Sequence, residues 1–355
     1  MKTISCGILV VGAGPAGAAA ALAAAKAGGH VILADRRKTI GVPVRCAEYV
    51  PAQLIGELNL GKPFVVQSIK GMKTFLPNGE TTVTLAKGFM INRDRFDQCL
   101  AKAAAGHGAE HMLCTQVVGR EADGTIIARH CGDAPVFTRI RASVIIGADG
   151  PHSTIGRWVG ARNRDLLVGL QVSMPLVHAQ DYTEVYFDPE IFGGYGWFFP
   201  KKNLVNIGVG MRPAAISGKS PPHVLKTFVQ RFLDQKRIGE EVLCRTGGHI
   251  PAEARRRAVF GDIILVGDAA GHTHPVTGAG IFSAVTCGEM AGRWAAAAVK
   301  KGDRSLLQEY EAEWQDLFGE TLQRGHRRRR LLESQWHNLP QIIKQTWVAY
   351  REYYA

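Results

Sequence analysis

Gly7-Ile8-Leu9-Val10-Val11 leads directly into Gly12-Ala13-Gly14-Pro15-Ala16-Gly17, and this stretch decides the fold. The first part is an apolar, partly β-branched run typical of a buried strand, and the alanine-rich run after the glycines predicts a helix. Gly12 allows the tight turn, Gly14 lets the backbone approach a pyrophosphate, and Gly17 lets the helix pack closely on the strand. The strand, turn and helix together predict a dinucleotide-binding α/β unit, with phosphates at the helix N-terminus.

A second apolar strand, His30-Val31-Ile32-Leu33-Ala34, ends at an acidic residue. Asp35 stands where such an acid can hold a ribose 2′-hydroxyl, about 20 residues after the glycines. Asp35 disfavours a 2′-phosphate, whereas Arg36 and Arg37 would attract one. The segment therefore predicts a dinucleotide and leaves FAD, NAD and NADP open.

Composition bounds the class of protein. A chain of 355 residues, 46% of them hydrophobic, is long enough for about two domains with buried cores. Its apolar stretches are shorter than the about 20 residues that a bilayer-spanning helix needs, and a core strand begins within a few residues of Met1, so we expect no signal peptide and a cytoplasmic location. The seven cysteines show no CxxC or metal spacing, so no metal site is predicted. The net charge of +12 suits anionic partners.

The rest of the chain alternates between two kinds of pattern. Residues 64–91 alternate around Asn78-Gly79, the strongest short hairpin signal, and 166–254 also read as antiparallel strands. Val117 is predicted to end a further strand. The segments 142–157 and 261–281 instead read as buried strands that lead through Asp149-Gly150 and Gly267-Asp268 towards helices.

We therefore predict an α/β fold in which a Rossmann-like domain carries an inserted antiparallel-sheet domain and a helical C-terminal tail. The dinucleotide-binding domain is assigned to 1–60, 90–165 and 255–310, the substrate-binding domain to 61–89 and 166–254, and the tail to 311–355.

Two local features suggest chemistry. Cys46 follows Arg45 in a loop, which would lower the pKa of its thiol, although a structural loop cysteine fits the local sequence equally well. Tyr195 and Trp197 are two apart, so on a strand they share one face, either in a core or along an apolar substrate cavity. His272 and His274 are interpreted as hydrogen-bonding loop residues, because a single pair lacks further metal ligands.

The glycine turn, Asp149-Gly150 and Gly267-Asp268 occur in the order of the glutathione-reductase-type FAD fold, in its aromatic-hydroxylase branch. Within that branch the chain resembles the geranylgeranyl reductase family. Four segments carry this resemblance: Ile40 to Glu48, Asp149 to Arg157, Tyr195-Gly196-Trp197-Phe198-Phe199-Pro200, and Gly271-His272-Thr273-His274-Pro275. The resemblance implies FAD as cofactor and reduction of isolated C=C bonds of prenyl chains, with hydride from N5 of reduced flavin.

The same resemblance assigns site residues. The implied FAD contacts are Gly12, Gly14, Ala16 and Gly17 at the pyrophosphate, Asp35 and Arg36 at the adenosine end, Arg93 and Val117 along the cofactor, Cys46 and Ala47 facing the flavin, Asp268 at the ribityl or phosphate region, and Gly280 and Ile281 at the isoalloxazine. Tyr195 and Trp197 would line the prenyl tunnel. Cys46 is our first candidate for the proton donor or for tuning the redox state of the site, and Tyr195 is the weaker candidate.

Two other functions stay open at this stage: an FAD-dependent monooxygenase or halogenase of the same fold, and a non-catalytic flavin-binding or sensor protein. NAD(P)H and reduced ferredoxin are both expected as candidate electron donors, because only one dinucleotide turn is present. The tail joins the basic cluster 326–330 to apolar and aromatic residues at helical spacing, so it either lies on the inner face of the membrane or packs on the substrate domain. No nucleic-acid partner is expected, since no recognition motif accompanies the arginines.

Overall fold

A mainly parallel sheet surrounds the strand that leads into the glycine turn. In the computed structural model, which describes residues 1–58, 60–132, 136–213, 218–255 and 257–355, this sheet has eight strands. They are β1 (Lys2–Val11), β2 (Val31–Ala34), β6 (Glu110–Met112), β7 (Thr115–Arg120), β8 (Ile126–His130), β9 (Val136–Gly147), β15 (Val259–Phe260) and β16 (Ile263–Leu265). The order is β15-β16-β9-β1-β2-β6, and β7 and β8 extend β9 as an antiparallel ribbon.

Helices cover this sheet and connect its strands. They are α1 (Pro15–Lys26), α2 (Ala52–Glu57), α3 (Arg93–Gly106), α4 (Thr154–Trp158), α5 (Pro221–Asp234), α6 (Ile281–Lys301), α7 (Leu307–Trp314), α8 (Glu320–Ser334) and α9 (Leu339–Thr346), with α5, α8 and α9 belonging to other parts of the molecule. Small residues let α1 and α6 approach closely: a Cβ at Gly288 or Gly292 would overlap a backbone carbonyl of α1. Because β1, β2, β9 and β16 pair in parallel, their carboxyl ends lie at one edge of the sheet. This is the edge at which α/β proteins bind ligands.

The second sheet also has eight strands, in the order β14-β10-β13-β12-β11-β4-β5-β3. They are β3 (Tyr49–Pro51), β4 (Val65–Phe75), β5 (Thr81–Ile91), β10 (Leu166–Pro175), β11 (Tyr182–Tyr186), β12 (Tyr195–Lys201), β13 (Leu204–Met211) and β14 (Cys244–Pro251). The pairing is antiparallel except between β11 and β4, which run parallel. One face packs on α5, where a Cβ at Gly196 would overlap the ring of Phe228.

Most strand and helix predictions are confirmed, with differences at a few boundaries. The hairpin around Asn78-Gly79 forms between β4 and β5. Val117 does not end its strand, because β7 continues to Arg120 and pairs with β8 across a register shift. β3 lies inside the segment 1–60 but pairs with β5 in the second sheet.

The C-terminal tail packs on the second sheet. Its apolar and aromatic side chains, Trp336, Leu339, Ile342, Ile343 and Trp347, are buried with Leu76, Val185 and Phe187 of that sheet and its connections. The indole N–H of Trp347 donates to Thr74 Oγ1 at 3.1 Å. Of the two alternatives for the tail, the structure favours packing on the protein. The apolar side chains that would have contacted a membrane are buried against the second sheet and its connections. Among the described residues, none of the helices has both the length and the apolar character needed to cross a bilayer.

Candidate functional site

The glycine turn has the shape of a pyrophosphate cradle. Gly12 has φ +102°, a conformation that L side chains rarely adopt, and a Cβ at Gly17 would overlap the carbonyl oxygen of Gly12. A Cβ at Gly14 would meet no protein atom within 4 Å, so this residue borders open space. Gly14 is the N-cap of α1 and has no side-chain cap, which leaves the first N–H groups of the helix available to an anion. The residues present therefore fit a dinucleotide pyrophosphate.

Asp35 connects the turn to the end of β2. Its carboxylate accepts the N–H groups of Ala13 and Arg37, both at 2.7 Å, and the residue is 8% exposed. Each carboxylate oxygen has lone pairs for a further donor, so Asp35 both fixes the glycine turn and can accept a ribose hydroxyl. Arg36 is exposed beside it.

Two further aspartates mark the carboxyl ends of β9 and β16. Asp149 accepts hydrogen bonds from Ser153 Oγ at 2.5 Å and from the N–H groups of Thr154 and Ile155, so it anchors the start of α4. Ser153 is the N-cap of α4. Asp268 accepts from Thr273 Oγ1 at 2.6 Å. Burial raises the pKa of both carboxyls.

The 41–48 loop is held by side chains of the second sheet. It has neither helix nor strand, and three of its carbonyl oxygens accept side-chain hydrogen bonds from different strands. These bonds join Thr246 Oγ1 to Val44 O (2.6 Å), Gln171 Nε2 to Cys46 O (3.2 Å) and Asn206 Nδ2 to Ala47 O (3.2 Å). The second sheet thus fixes the loop that contains Cys46.

Glu48 completes this attachment. It has φ +71°, which is uncommon for a residue with a side chain, and it is 5% exposed. Its Oε1 accepts the N–H of Arg93 at 3.0 Å, and its Oε2 accepts from Lys201 Nζ at 2.6 Å and Asn206 Nδ2 at 3.0 Å. One buried carboxylate therefore joins the loop, the start of α3 and the second sheet.

The environment of Cys46 overturns the expected effect of Arg45. Burial raises the pKa of the Cys46 thiol, and the nearby Arg93 guanidinium and the Glu48 N–H, which donates to Sγ at 3.2 Å, only partly oppose this. Arg45 is exposed and lies near Gly248 instead. The sequence prediction of a lowered thiol pKa was wrong, because neighbours in the fold outweigh the neighbour in the chain. At neutral pH the thiol keeps its proton.

Tyr195 and Trp197 share one face of β12, as predicted, with ring centroids 6.3 Å apart. The Trp197 indole N–H donates to Gln171 Oε1 at 2.9 Å, and a Cβ at Gly208 would overlap the indole ring. The Tyr195 hydroxyl donates to the carbonyl of Thr277, and burial raises the pKa of this phenol. Both polar groups are therefore committed within the protein.

The remaining predicted residues lie on several different elements. Arg93 begins α3 and its Nε donates to Asp97 Oδ1 at 2.8 Å, whereas Val117 is buried in β7. Ile281 begins α6 and Gly280 is its N-cap. A Cβ at Gly280 would lie 3.6 Å from Asp268 Oδ1, and one at Gly267 would lie 2.9 Å from the Cβ of Ala16. The glycine turn and the Gly267-Asp268 motif thus meet.

The tail holds the 271–280 loop in place. Arg329, buried in α8, donates to the carbonyl oxygens of Pro275 at 2.8 Å and Gly193 at 2.5 Å. His274 bonds to the Tyr353 hydroxyl at 2.9 Å, which fits the hydrogen-bonding interpretation of this histidine. The same interpretation was wrong for His272, because both of its ring nitrogens are buried without a hydrogen-bond partner in the described part of the chain. Among the residues that the structure describes, no group of His, Cys, Asp and Glu side chains could hold a metal ion. A pocket of about 540 Å³ borders Trp336 and Pro340, but no predicted site residue lines it.

Sequence reasoning missed the residues that hold the 41–48 loop: Gln171, Lys201, Asn206 and Thr246. A signal existed for two of them, since Gln171 and Asn206 interrupt otherwise apolar strand runs. A buried polar side chain on a core strand needs a partner, and here the partners lie more than 100 residues away in the chain.

Comparisons with known proteins identify the family of this chain. The family model described as FAD binding domain matches residues 5–324. The chain is 34% identical over 337 residues to the digeranylgeranylglycerophospholipid reductase of Methanothrix thermoacetophila, covering 90% of this chain and 85% of that one. It is 35% identical over 347 residues to the enzyme of the same name from Methanocaldococcus jannaschii, covering 92% and 86%.

Solved structures show the same fold. A geranylgeranyl bacteriochlorophyll reductase-like protein from Thermoplasma acidophilum superposes with a TM-score of 0.83 at 25% identity, covering 98% of this chain and 97% of that one. A probable FAD-dependent monooxygenase from Pseudomonas aeruginosa superposes with a TM-score of 0.71 at 16% identity, covering 96% and 100%, and this likeness concerns the fold alone.

Proposed function

This chain belongs to the FAD binding domain family and to the geranylgeranyl reductase family, it is an FAD-dependent oxidoreductase, and we propose that it reduces isolated C=C bonds in the prenyl chains of a lipid. The observation that carries this proposal is the pair of relatives named digeranylgeranylglycerophospholipid reductase, each at least 34% identical over about nine-tenths of the chain. The proposed substrate is a geranylgeranyl-type prenyl lipid.

We propose that the cofactor lies along the carboxyl edge of the first sheet. The residues assigned to it are Gly12, Gly14, Ala16 and Gly17 at the pyrophosphate, Asp35 and Arg36 at the adenosine, Arg93 and Val117 along its length, and Cys46, Ala47, Asp268, Gly280 and Ile281 at the flavin half. Bound FAD, once reduced, supplies the hydride from N5 that adds to one carbon of the double bond.

The other carbon needs a proton, and we propose that Cys46 Sγ holds it. An isolated alkene is poorly polarised, so a donor must stand close to it while water is excluded. The raised pKa of the Cys46 thiol keeps this proton in place at neutral pH, and the hydrogen bond from the Glu48 N–H orients the sulfur. The thiolate that forms would be stabilised by the adjacent Arg93 guanidinium.

Tyr195 and Trp197 have a different proposed role, that of lining the prenyl channel. Their hydroxyl and indole N–H groups are bonded to Thr277 O and Gln171 Oε1, so only their apolar ring surfaces would remain for a ligand. We therefore rank Tyr195 below Cys46 as proton donor. Electrons would reach FAD from NAD(P)H or from a reduced ferredoxin.

The decisive experiment incubates FAD-loaded, dithionite-reduced protein with digeranylgeranylglyceryl phospholipid without oxygen. We expect the lipid to gain two hydrogens per reduced bond, measured by mass spectrometry, with reoxidation of the flavin. In a parallel incubation with oxygen, flavin reoxidation that occurs only there and yields an oxygenated product would instead support the monooxygenase alternative. An unchanged lipid and a flavin that stays reduced would contradict the proposal.

Cys46→Ser tests the donor. A lost general acid costs about 10²-fold or more in rate, so we expect the single-turnover rate of alkene reduction to fall by that factor while FAD content is kept. Cys244→Ser, at an exposed thiol, is the matched control. An unchanged rate in Cys46→Ser would exclude this thiol as donor.

A further inference from the structure

Five basic side chains meet where the two sheets adjoin. We call Arg36, Arg45, His152, Arg157 and His249 the basic rim. His152 Nε2 lies 3.1 Å from His249 Nδ1, and their rings are T-shaped with centroids 4.7 Å apart. Arg45 Cδ would lie 3.8 Å from a Cβ at Gly248, next to His249. The histidine pair thus joins the loop after β9 to β14.

Arginines surround this pair. Partial burial lowers the pKa of His152, and the positive charges of His249, Arg157 and Arg36 lower it further, which places these groups in one electrostatic neighbourhood. Arg36 directly follows Asp35. Arg157 lies in α4, and its guanidinium donates to the hydroxyl of Thr154, three residues earlier, at 2.8 Å. The rim therefore borders two of the motifs assigned to the cofactor.

The positive charge of the rim is not neutralised within the protein. In the described ranges, no carboxylate oxygen lies within 4.0 Å of a guanidinium nitrogen of Arg36, Arg45 or Arg157. Each histidine of the pair uses one ring nitrogen on the other, so its second nitrogen stays available as a hydrogen-bonding group. All five residues of the basic rim are exposed.

A compact group of arginine forks and imidazoles matches a phosphate. Guanidinium groups bind phosphate oxygens through paired N–H donors, and a phosphate offers three or more acceptors in a small volume. We propose that the basic rim binds the phosphate of a molecule that the FAD-loaded enzyme uses: the headgroup phosphate of a phospholipid substrate or the phosphate of a nicotinamide dinucleotide donor. The two suggested sources of the phosphate rest on the proposed function, whereas phosphate binding by the basic rim does not.

Phosphate binding is tested on FAD-loaded protein by calorimetric titration with inorganic phosphate and with 2′,5′-ADP. We expect Arg157→Gln to weaken binding by about tenfold, the equivalent of one lost charge-assisted contact, and His249→Gln to weaken it as well. Arg304→Gln removes the same charge beyond the far end of α6 and is expected to leave the affinity unchanged. Equal affinity in all variants would overturn the proposal. Binding by FAD-free protein alone would overturn it as well, since the rim would then hold the pyrophosphate of FAD itself.

Two kinetic comparisons identify which molecule supplies the phosphate. If the rim holds the lipid headgroup, the variants raise KM for the phospholipid and leave KM for geranylgeraniol, which has no phosphate, unchanged. If it holds the donor, they slow flavin reduction by NADPH more than by NADH. No change in either arm would overturn the biological part of the inference. A protein that reduces no prenyl substrate would refute the proposed function, while the titration would still decide whether the rim binds phosphate.

Discussion

The glycine turn at 12–17 and the 41–48 loop are both assigned to FAD, yet they are built in opposite ways. The turn is shaped by close backbone contacts among neighbours in sequence and with Ala148, which directly follows β9. These contacts leave no room for a Cβ at Gly12 or Gly17. The loop is shaped by side chains of distant strands that bind its carbonyl groups, and by Glu48. A motif of the first kind is visible in a sequence, whereas a segment of the second kind acquires its shape only when the sheet forms.

The largest expected effect comes from adding one methyl group to the turn. In Gly17→Ala the new Cβ would overlap the carbonyl oxygen of Gly12, a backbone atom that cannot move aside cheaply. We expect a cost above about 3 kcal/mol and loss of bound flavin. The flavin absorbance per mole of purified protein measures this.

Gly14→Ala is the paired variant for the turn. Its Cβ would meet no protein atom within 4 Å, so the protein should fold with an unchanged free energy of unfolding. It should nevertheless retain less FAD, because the methyl group would occupy space beside the pyrophosphate. Full flavin content in both variants would contradict the assignment of this turn.

The loop should instead be most sensitive to the loss of one charge. Glu48→Gln leaves Lys201, whose side chain is 14% exposed, without its carboxylate partner. Breaking a buried ion pair from one side costs about 3–5 kcal/mol, so we expect the free energy of unfolding in urea to fall by roughly that amount. The exposed Glu240→Gln is the control, and the double variant Glu48→Gln/Lys201→Met should recover part of the loss.

A smaller effect is expected at Gln171, which links Trp197 to the carbonyl of Cys46. Gln171→Leu leaves a buried indole N–H and a carbonyl oxygen without partners, at a cost of about 1–3 kcal/mol. The rate of alkene reduction should fall more than KM rises, because the loop moves while the channel walls remain. Equal effects from the surface change Gln235→Leu would show that the link has no special role.

The smallest effect concerns the reactivity of Cys46. Since burial raises the pKa of its thiol, the thiolate fraction at pH 8 should lie below that of a free cysteine and should grow only at higher pH than a free thiol needs. Iodoacetamide should therefore alkylate Cys46 more slowly than the exposed Cys244, and urea should remove the difference. Peptide mass spectrometry reports both sites in one sample. Faster alkylation at Cys46 would restore the interpretation based on Arg45.

Local patterns allowed much of the fold to be predicted. The apolar run before Gly12, the alanine-rich helix after Gly17 and the Asn78-Gly79 hairpin depend on sterics and side-chain periodicity within a few residues. Only part of the tail's structure was predictable. Its spacing indicated helices with an apolar face, but Trp336 or Ile343 could bury such a face equally well in a membrane or against a protein surface. The buried contacts with Val185 and Phe187 decide between them.

The sequence by itself determined the glycine turn, the order of the FAD motifs and the helix and strand pattern, because backbone sterics and periodicity act between near neighbours. Only the tertiary structure decided the raised pKa of Cys46, the ion pair of Glu48 with Lys201 and the meeting of His152 with His249. These properties depend on burial and charge at distances of a few ångströms, and the residues that supply them are separated by up to about 150 positions in the chain.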